Sequence, residues 1–219
     1  MKVAIFDFDG TLYAEETFKL LMNHLKEHPI YKTKYSRFYR AILPPYFAHK
    51  FKLYPTTKMK QRSMKLYLDA FAGLTEAEMN TYFDELGVKM KKDFNKEVLA
   101  RLKQHQNEQI HILLVSGAYT QFLHRVTDGI TFDQIIGTNI SYKDQLIDVH
   151  APLIHINGTR KTDHILEALK GKEIDWENSY AYGDSFSDLP VLELVGNPVA
   201  VKPEGKLRKI AATRGWEII

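Results

Sequence analysis

The stretch KVAIFDFDGTLY, residues 2–13, decides the fold class of this 219-residue chain. Val, Ile and Phe dominate its first part, which predicts a β-strand over Lys2–Phe8. Asp7 and Asp9 stand at the end of this apolar run, directly before a Gly-Thr pair. Two carboxylates at the mouth of a buried strand are costly unless a cation or a lysine compensates them. An Asp-Gly pair alone could equally be an ordinary turn, so the rest of the chain has to decide.

Strands and helices alternate in the second half of the chain. Strands are predicted at Gln109–Val115, Gln134–Ile136, Ser179–Tyr182 and Pro198–Val201, with a hairpin over Ile140–Val149. Helices are predicted from about Ala118 and over Gly158–Leu169, Ser185–Val195 and Pro203–Thr213. This alternation is typical of a mainly parallel sheet with helices on both faces, an α/β Rossmann-like core of three layers.

An all-helical block interrupts this core after its first strand. Helices are predicted over Glu15–Glu27, Tyr31–Leu43, Tyr46–Leu53 and Thr56–Phe71, and a capping-box pattern at Thr75 opens another. Two adjacent prolines, Pro44 and Pro45, are predicted to end the second of these helices. The core is therefore assigned to residues 1–13 and 91–219, and a small helical domain to residues 14–90.

Charge is distributed unevenly along the chain. The net charge is +3, but the segment from His28 to Leu68 holds ten Lys and Arg and no acid, which leaves the remainder at −7. The chain has no cysteine, and no stretch of it has transmembrane length. It begins without a signal-peptide pattern, so a cytoplasmic location is expected.

Polar residues also follow the later strands. Ser116 and Gly117 follow the second strand, Lys161 begins a helix, and Asp184 and Asp188 follow the strand before the last. Taken singly, the serine could be a helix N-cap, the lysine a solvated side chain and the last two acids a cap and a surface group. Since ligands bind outside the carboxyl ends of parallel strands, the set together predicts one site.

Four motifs carry a family resemblance: DFDGT at residues 7–11, VSG at 115–117, GTRK at 158–161 and GDSFSD at 183–188. In this order they resemble the haloacid dehalogenase-like superfamily. A helical insert directly after the first motif resembles the phosphoserine phosphatase-like branch (subfamily IB), whose small C1-type cap lies there. The C-terminal stretch from Gly196 is similar to that branch as well.

The resemblance implies a phosphatase that uses Mg²⁺. Asp7 would be the nucleophile that forms an aspartyl-phosphate, and Asp9 would be the general acid and base. Mg²⁺ would be held by Asp7, the main-chain carbonyl of Asp9, and Asp184. An acid at the position of Asp9 distinguishes phosphatases and mutases from relatives that displace halide or pump ions.

The remaining motif residues would bind phosphate or support the site. Ser116 and the amides near Gly117, at a helix N-terminus, would bind phosphate oxygens, and Lys161 would neutralise charge in the transition state. Its neighbour Arg160 is a weaker candidate. Asp188 would anchor the metal site or hold the lysine, and Thr11 would order the loop rather than react.

Two residues depart from phosphoserine phosphatases. Gly10 stands where those enzymes usually have serine, and Ser187 stands where they usually have asparagine. Both indicate a different substrate range. Glu16, in contrast, resembles the position where those enzymes hold a glutamate for the substrate amino group, although an acid in a first helical turn also suits the helix dipole.

The basic, aromatic insert leaves three interpretations open. The first is a helical cap with an aromatic core and solvated lysines. The second is a lid whose Arg and Lys side chains attract a multiply charged small phosphorylated substrate, and the third is a surface for anionic lipid or nucleic acid. A non-catalytic module that binds nucleic acid is the alternative of another class, and the intact acids argue against it. His24 and His28 show no third metal ligand and are expected at the solvated surface. The sequence leaves the oligomeric state open.

Overall fold

The computed structural model describes residues 1–219. Its strands are β1 (Val3–Phe6), β2 (His111–Tyr119), β3 (Gln134–Thr138), β4 (Tyr142–Lys143), β5 (Leu146–Ile147), β6 (Tyr180–Gly183), β7 (Asn197–Ala200) and β8 (Glu217–Ile218). Its α-helices are α1 (Thr17–Glu27), α2 (Lys32–Lys50), α3 (Thr56–Ala70), α4 (Glu76–Met90), α5 (Lys96–Asn107), α6 (Thr120–Val126), α7 (Thr159–Ala168), α8 (Leu189–Leu192) and α9 (Gly205–Arg214). None of these helices combines the length and the apolar composition that crossing a membrane requires.

Six strands form one sheet in the order β3-β2-β1-β6-β7-β8, and all neighbours pair in parallel. The four residues of β1 are fully buried because the strand lies inside the sheet. Val3 and Ile5 face one apolar layer, while Ala4 and Phe6 face the other, as the period of two in a strand requires. The predicted α/β, Rossmann-like fold with a mainly parallel sheet is confirmed.

The helices α1 to α4 form the predicted helical insert, and its core is continuous with one face of the sheet. Tyr119, the last residue of β2, donates its hydroxyl to the carbonyl of Met64 at 2.7 Å and stacks on Tyr67. The Tyr67 hydroxyl in turn lies 2.7 Å from that of Tyr82, so α3 and α4 are joined at the same place. The insert is therefore packed firmly against the end of β2.

The prediction that the proline pair ends a helix was wrong. Helix α2 continues from Lys32 to Lys50 with Pro44 and Pro45 inside it. The two prolines remove the hydrogen bonds that would reach the carbonyls of Arg40 and Ala41. Both of those residues are exposed, so water can take the place of the missing donors.

Two further helix boundaries differ from the prediction. β2 extends to Tyr119, and α6 begins at Thr120 rather than near Ala118. The helix predicted over Ser185–Val195 is a one-turn 3-10 helix at residues 186–188 followed by the short α8. Pro190 explains the break, because a proline is tolerated in the first turn of a helix and not in its interior.

Candidate active site

Four motif side chains converge at the carboxyl edge of the sheet. Lys161 donates hydrogen bonds to Oδ1 of Asp7 and, at 2.6 Å, to Oδ1 of Asp188. Carboxylate oxygens of Asp7, Asp184 and Asp188 all lie within 4.8 Å of one another. The lysine, Asp7 and Asp188 are buried, so their charges interact with little screening by water.

The pairing of β1 with β6 brings two of these acids together. Phe6 is opposite Tyr182 in the parallel register, and the N–H of Asp7 donates to the carbonyl of Tyr182 at 3.0 Å. Asp7 and Asp184 therefore leave neighbouring strands at the same edge. The first turn of α7 carries Lys161, whose ammonium bonds to Asp7, after β1, and to Asp188, in the segment after β6.

Burial and mutual repulsion dominate the electrostatics of this cluster. Burial, followed by the charge of Asp188, raises the pKa of Asp7 well above its ordinary value and that of Asp184 to about 7. Burial also opposes ionisation of Asp188 and of Lys161. Their mutual attraction outweighs it, so the pKa of the acid is lowered and that of the lysine is raised. One lysine faces three acids, so its single positive charge does not balance the three carboxyl groups when they are ionised.

The site fits a hard divalent cation. Carboxylate oxygens are the ligands that Mg²⁺ prefers. Gly10 has φ +73°, and a Cβ on it would lie 2.3 Å from Oδ2 of Asp184, so this carboxylate packs directly against the backbone that follows Asp9. Any larger residue at position 10 would therefore require the Asp184 carboxylate to shift. The side chains of Asp7 and Asp184 and the backbone of Asp9 thus lie where a shared ion could be held.

Asp9 is tied to the helical insert. Its Oδ1 accepts hydrogen bonds from the hydroxyl of Thr17 and, at 2.9 Å, from the Thr17 backbone N–H. Burial raises the pKa of Asp9 to about 6, although both Thr17 bonds lower it. Glu16 is exposed at the N-cap of α1 without a side-chain capping bond, and its charge opposes ionisation of Asp9. Thr17 was not predicted as a site residue.

The second motif lies in β2, and its Val115 lines the same small cavity as Asp7, Lys161 and Asp188. Ser116 is buried, and its hydroxyl accepts the N–H of Ala118 at 3.1 Å. The prediction of a helix N-terminus at Gly117 was wrong, because an irregularity in β2 places its amide within the strand, before α6 begins at Thr120. A Cβ on Gly117 would lie 2.6 Å from Nε2 of His155, so the glycine allows this histidine to approach.

His155 was missed by the sequence analysis. Burial, followed by the charges of Lys60, Lys161 and Arg160, lowers its pKa to about 4. It is therefore neutral near pH 7. Arg160, the weaker candidate for binding phosphate, donates a hydrogen bond to the carbonyl of His155 at 3.2 Å. Its guanidinium is therefore engaged by the main chain. No regular motif spacing pointed to the histidine, because it comes from a loop without strand or helix.

Asp188 and Thr11 make contacts within the loops that carry the fourth and the first motif. Asp188 accepts the backbone N–H of Ser185 at 3.1 Å and its hydroxyl at 2.8 Å, while its other oxygen faces Lys161. Thr11 is fully buried, and its N–H donates to the carbonyl of Phe8 at 3.3 Å within the turn. Both contacts fix the loops that follow β1 and β6.

The expectation that His24 and His28 lie at the solvated surface was wrong. Both are buried, and their Nε2 atoms lie 3.3 and 3.1 Å from Oε2 of Glu85, on α4. Nδ1 of His28 accepts the N–H groups of Ile30 and Tyr31, and Nδ1 of His24 faces the ammonium of Lys89 at 2.9 Å. A neutral imidazole with Nδ1 accepting carries its proton on Nε2. On the side where Glu85 lies, the two rings therefore carry N–H groups rather than the lone pairs that a metal would need, and neither N–H makes a hydrogen bond.

These features define an α/β protein with a cluster of acids and one lysine at the carboxyl edge of a parallel sheet. The model of the haloacid dehalogenase-like hydrolase family matches residues 4–193, so the chain belongs to this family. The family membership inferred from the four motifs is confirmed.

Among curated relatives, the inhibition of morphological differentiation protein of Streptomyces azureus is 28% identical over 123 residues, which are 56% of this chain and 44% of that protein. Phosphoserine phosphatase SerB1 of Mycobacterium tuberculosis is 42% identical over 64 residues, 29% of this chain and 20% of that protein. The chain thus spans less than half the length of these relatives. A phosphoserine phosphatase of Albidiferax ferrireducens is 24% identical over 155 residues, 69% of this chain and 63% of that protein.

Solved structures share the fold over the whole chain. A Bordetella pertussis protein of unknown function superimposes with a TM-score of 0.82 at 18% identity, covering 100% of this chain and 97% of that one. A phospho-aspartyl intermediate analogue of phosphoserine phosphatase superimposes with a TM-score of 0.63 at 15% identity, covering 99% of this chain and 91% of that one.

Proposed function

We propose that this protein is a Mg²⁺-dependent phosphatase that hydrolyses a small phosphate monoester through an aspartyl-phosphate on Asp7. The observation that carries the proposal is the position of Lys161, which bonds to Asp7 and Asp188 and so joins three of the four motifs. Relatives named as phosphoserine phosphatases support the choice of phosphate chemistry. Residues 1–13 and 91–219 would serve as the catalytic core and residues 14–90 as the cap.

In the proposed reaction, a carboxylate oxygen of Asp7 attacks phosphorus, and the bond between phosphorus and the ester oxygen breaks. Asp9, whose pKa of about 6 suits proton transfer near neutral pH, gives its proton to the departing alcohol. It then removes a proton from the water that attacks the aspartyl-phosphate, which releases inorganic phosphate and restores Asp7.

Positive charge and hydrogen-bond donors would hold the phosphoryl oxygens. Lys161 is kept protonated by its two acidic neighbours, and Asp188 fixes its position. The hydroxyl of Ser116 and the amide of Gly117 supply donors from β2. These groups stabilise charge that grows on the phosphoryl group as the ester bond breaks.

The residues that would hold Mg²⁺ are Asp7, Asp184 and the main-chain carbonyl of Asp9. The bound ion would supply positive charge that offsets the repulsion between a carboxylate nucleophile and a phosphate dianion. Asp188 and Thr11 would then act as supports for the lysine and for the turn.

The insert would select the substrate. Glu16 is exposed next to Asp9, where it could bind an amino group on a phosphoserine-like substrate. The absence of serine at position 10 and of asparagine at position 187 favours a phosphorylated metabolite other than phosphoserine itself. A basic insert attracts such anions from solution.

The test is hydrolysis of p-nitrophenyl phosphate, followed by a panel of phosphorylated metabolites, with Mg²⁺ and with EDTA. We expect Asp7→Asn to abolish turnover because an amide cannot form the acyl-phosphate, and EDTA to abolish it in the wild type. Asp128→Asn, an equally conservative change at an exposed loop position, should leave the rate unchanged. Undiminished turnover by Asp7→Asn would refute the proposal.

A further inference from the structure

The far end of the helical insert exposes apolar side chains. This end, which we call the hairpin tip, comprises residues 46–62: the last turn of α2, the connection, and the first turns of α3. Its exposed apolar side chains are Tyr46 (49% exposed), Phe47 (50%), Phe51 (70%) and Leu53 (79%). Four such side chains within eight consecutive positions form a patch rather than scattered surface residues.

Basic side chains surround this patch. The tip carries five exposed cations: Lys50, Lys52, Lys58, Lys60 and Arg62. None of them takes part in an ion pair, and the chain has no acid between residues 28 and 68. The positive charge of the tip is therefore uncompensated by its own surroundings.

The chain does not cover the tip, and its backbone is ordered. Of the 19 residues of α2, Phe38 alone is buried. The N–H of Phe51 donates to Phe47 at 3.0 Å, that of Leu53 donates to Ala48 at 2.9 Å, and a ring nitrogen of His49 faces the carbonyl of Tyr54 at 2.8 Å. These bonds close the turn, so the apolar side chains are displayed by a fixed backbone.

We propose that the hairpin tip docks on the surface of an anionic phospholipid membrane. Phe51 and Leu53 enter the head-group region, and the surrounding cations contact lipid phosphates. A membrane interface accepts apolar and cationic groups side by side, whereas a nucleic acid would bind the cations and leave the aliphatic Leu53 in water. Each cation near an anionic surface contributes about fivefold in binding, so five cations and two apolar anchors suffice for reversible attachment.

The tip is connected to the edge of the active site. Helix α3 carries Gln61, whose side chain donates to the carbonyl of Leu153 at 2.8 Å. From there the chain continues through His155 to Lys161, and the charge of Lys60 reaches His155. Docking through the tip therefore brings the site toward lipid-borne phosphate, a consequence that rests on the proposed phosphatase function.

Sedimentation of the full chain with vesicles tests the docking. We expect binding to vesicles of phosphatidylcholine mixed with phosphatidylserine at low salt, weak binding to pure phosphatidylcholine, and loss of binding at high salt. The double variant Phe51→Ser/Leu53→Ser should bind at least about tenfold more weakly, because it loses both apolar anchors. Lys50→Gln/Lys52→Gln should lose about twentyfold, since two cations at about fivefold each are removed.

Matched controls separate the tip from the general surface. Val88→Ser, on α4 of the same insert, changes an apolar residue that is 76% exposed and should bind as the wild type does. Lys170→Gln/Lys172→Gln removes two exposed cations that follow the C-terminal end of α7 and should also have no effect. Wild-type binding by both tip variants, or an equal loss in the controls, would overturn the proposal. Capture of single-stranded DNA without any vesicle binding would overturn it as well.

Two further measurements separate docking from catalysis. Asp7→Asn should bind vesicles as tightly as the wild type, so a failure of the proposed chemistry would leave docking intact. Hydrolysis of phosphatidic acid in vesicles should fall at least about tenfold in Phe51→Ser/Leu53→Ser, while hydrolysis of p-nitrophenyl phosphate in solution stays constant. Equal rates of wild type and variant on vesicle-borne phosphate would reject the role of the tip in substrate access.

Discussion

The backbone N–H of Thr17 lies 2.9 Å from Oδ1 of Asp9, and the hydroxyl of Thr17 donates to the same oxygen. Thr17 is the first residue of α1, whereas Asp9 follows the central strand of the sheet. The proposed general acid is therefore held by the start of the insert that would select the substrate. Any movement of α1 relative to the sheet would change the position of this carboxyl group.

Thr17→Val should lower kcat. Valine has the shape of threonine and retains the backbone donor, but it removes one of the two hydrogen bonds that orient Asp9. A hydrogen bond to a charged group contributes about 1.5–3 kcal/mol, so we expect kcat to fall about tenfold or more with a smaller change in KM. Steady-state kinetics on p-nitrophenyl phosphate measures this. Thr81→Val, which removes an exposed hydroxyl on α4 that bonds to Ala77, is the matched control. An unchanged kcat in Thr17→Val would show that the hydroxyl does not position the acid.

Gly10→Ser should damage the metal site rather than the fold. A side chain at φ +73° costs about 1–2 kcal/mol in backbone strain, and its Cβ would also displace the carboxylate of Asp184. Gly171→Ser has the same strain, at φ +79°, but a Cβ there meets no atom within 4 Å. Both variants should lose about the same stability.

Activity should distinguish these two glycine variants. When kcat/KM is measured against Mg²⁺ concentration, the value for Gly10→Ser should be at least about tenfold below that of the wild type and should depend less on Mg²⁺. The kcat/KM of Gly171→Ser should remain close to that of the wild type. Equal activity of the two variants would show that Asp184 can move away without consequence.

Lys161→Met should destabilise the protein when metal is chelated. It leaves Asp7 and Asp188 buried without their cation, and removing one partner of a buried ion pair costs about 3–5 kcal/mol. Urea unfolding in EDTA measures the loss. Lys161→Met/Asp188→Asn removes one of the stranded carboxylates and should be more stable than the single variant. A single variant as stable as the wild type would show that the buried acids do not depend on the lysine.

The sequence predicted those parts of the site that follow a strand or begin a helix. Asp7 and Asp184 were proposed because a change from apolar to polar residues marks the carboxyl edge of a parallel sheet, and Lys161 because it begins a helix in the GTRK motif that resembles the family. The contacts of Thr17 and His155 could not be found, since they depend on how the insert and an irregular loop pack. The sequence showed only that Gly10 differs from the residue usual in phosphoserine phosphatases. The structure adds the physical reason for a glycine, which is the closeness of the Asp184 carboxylate.

The burial of His24 and His28 also depends on packing that local sequence does not show. His24 and His28 have the spacing of one helical face, but the residues that bury them lie on α4, nearly 60 positions further along the chain. Tyr82 packs on both rings, and a carboxylate oxygen of Glu85 lies 3.3 and 3.1 Å from their Nε2 atoms. The local sequence could not distinguish a solvated pair from a buried one, because it does not show which face of α1 will be covered by α4.

His24 should make folding stability depend on pH. Burial, followed by the charges of Lys89 and His28, lowers its pKa to about 4, whereas an unfolded histidine has a pKa of about 6.5. Between these values the unfolded chain binds a proton that the folded chain does not. The stability contributed by the neutral ring is thus complete above about pH 6.5 and is lost as the pH falls toward about 4.

The comparison of the wild type with His24→Gln isolates this contribution. Other titrating groups contribute about equally to both proteins, so the wild type should lose about 2 kcal/mol more free energy of unfolding than the variant between about pH 7 and about pH 5. Urea denaturation at the two pH values measures the difference. His124→Gln, at an exposed position on α6, should retain the full pH dependence of the wild type. If His24→Gln showed that same dependence, His24 would have the same pKa in the folded protein as in the unfolded chain, and the lowering of its pKa by burial and by Lys89 would be wrong.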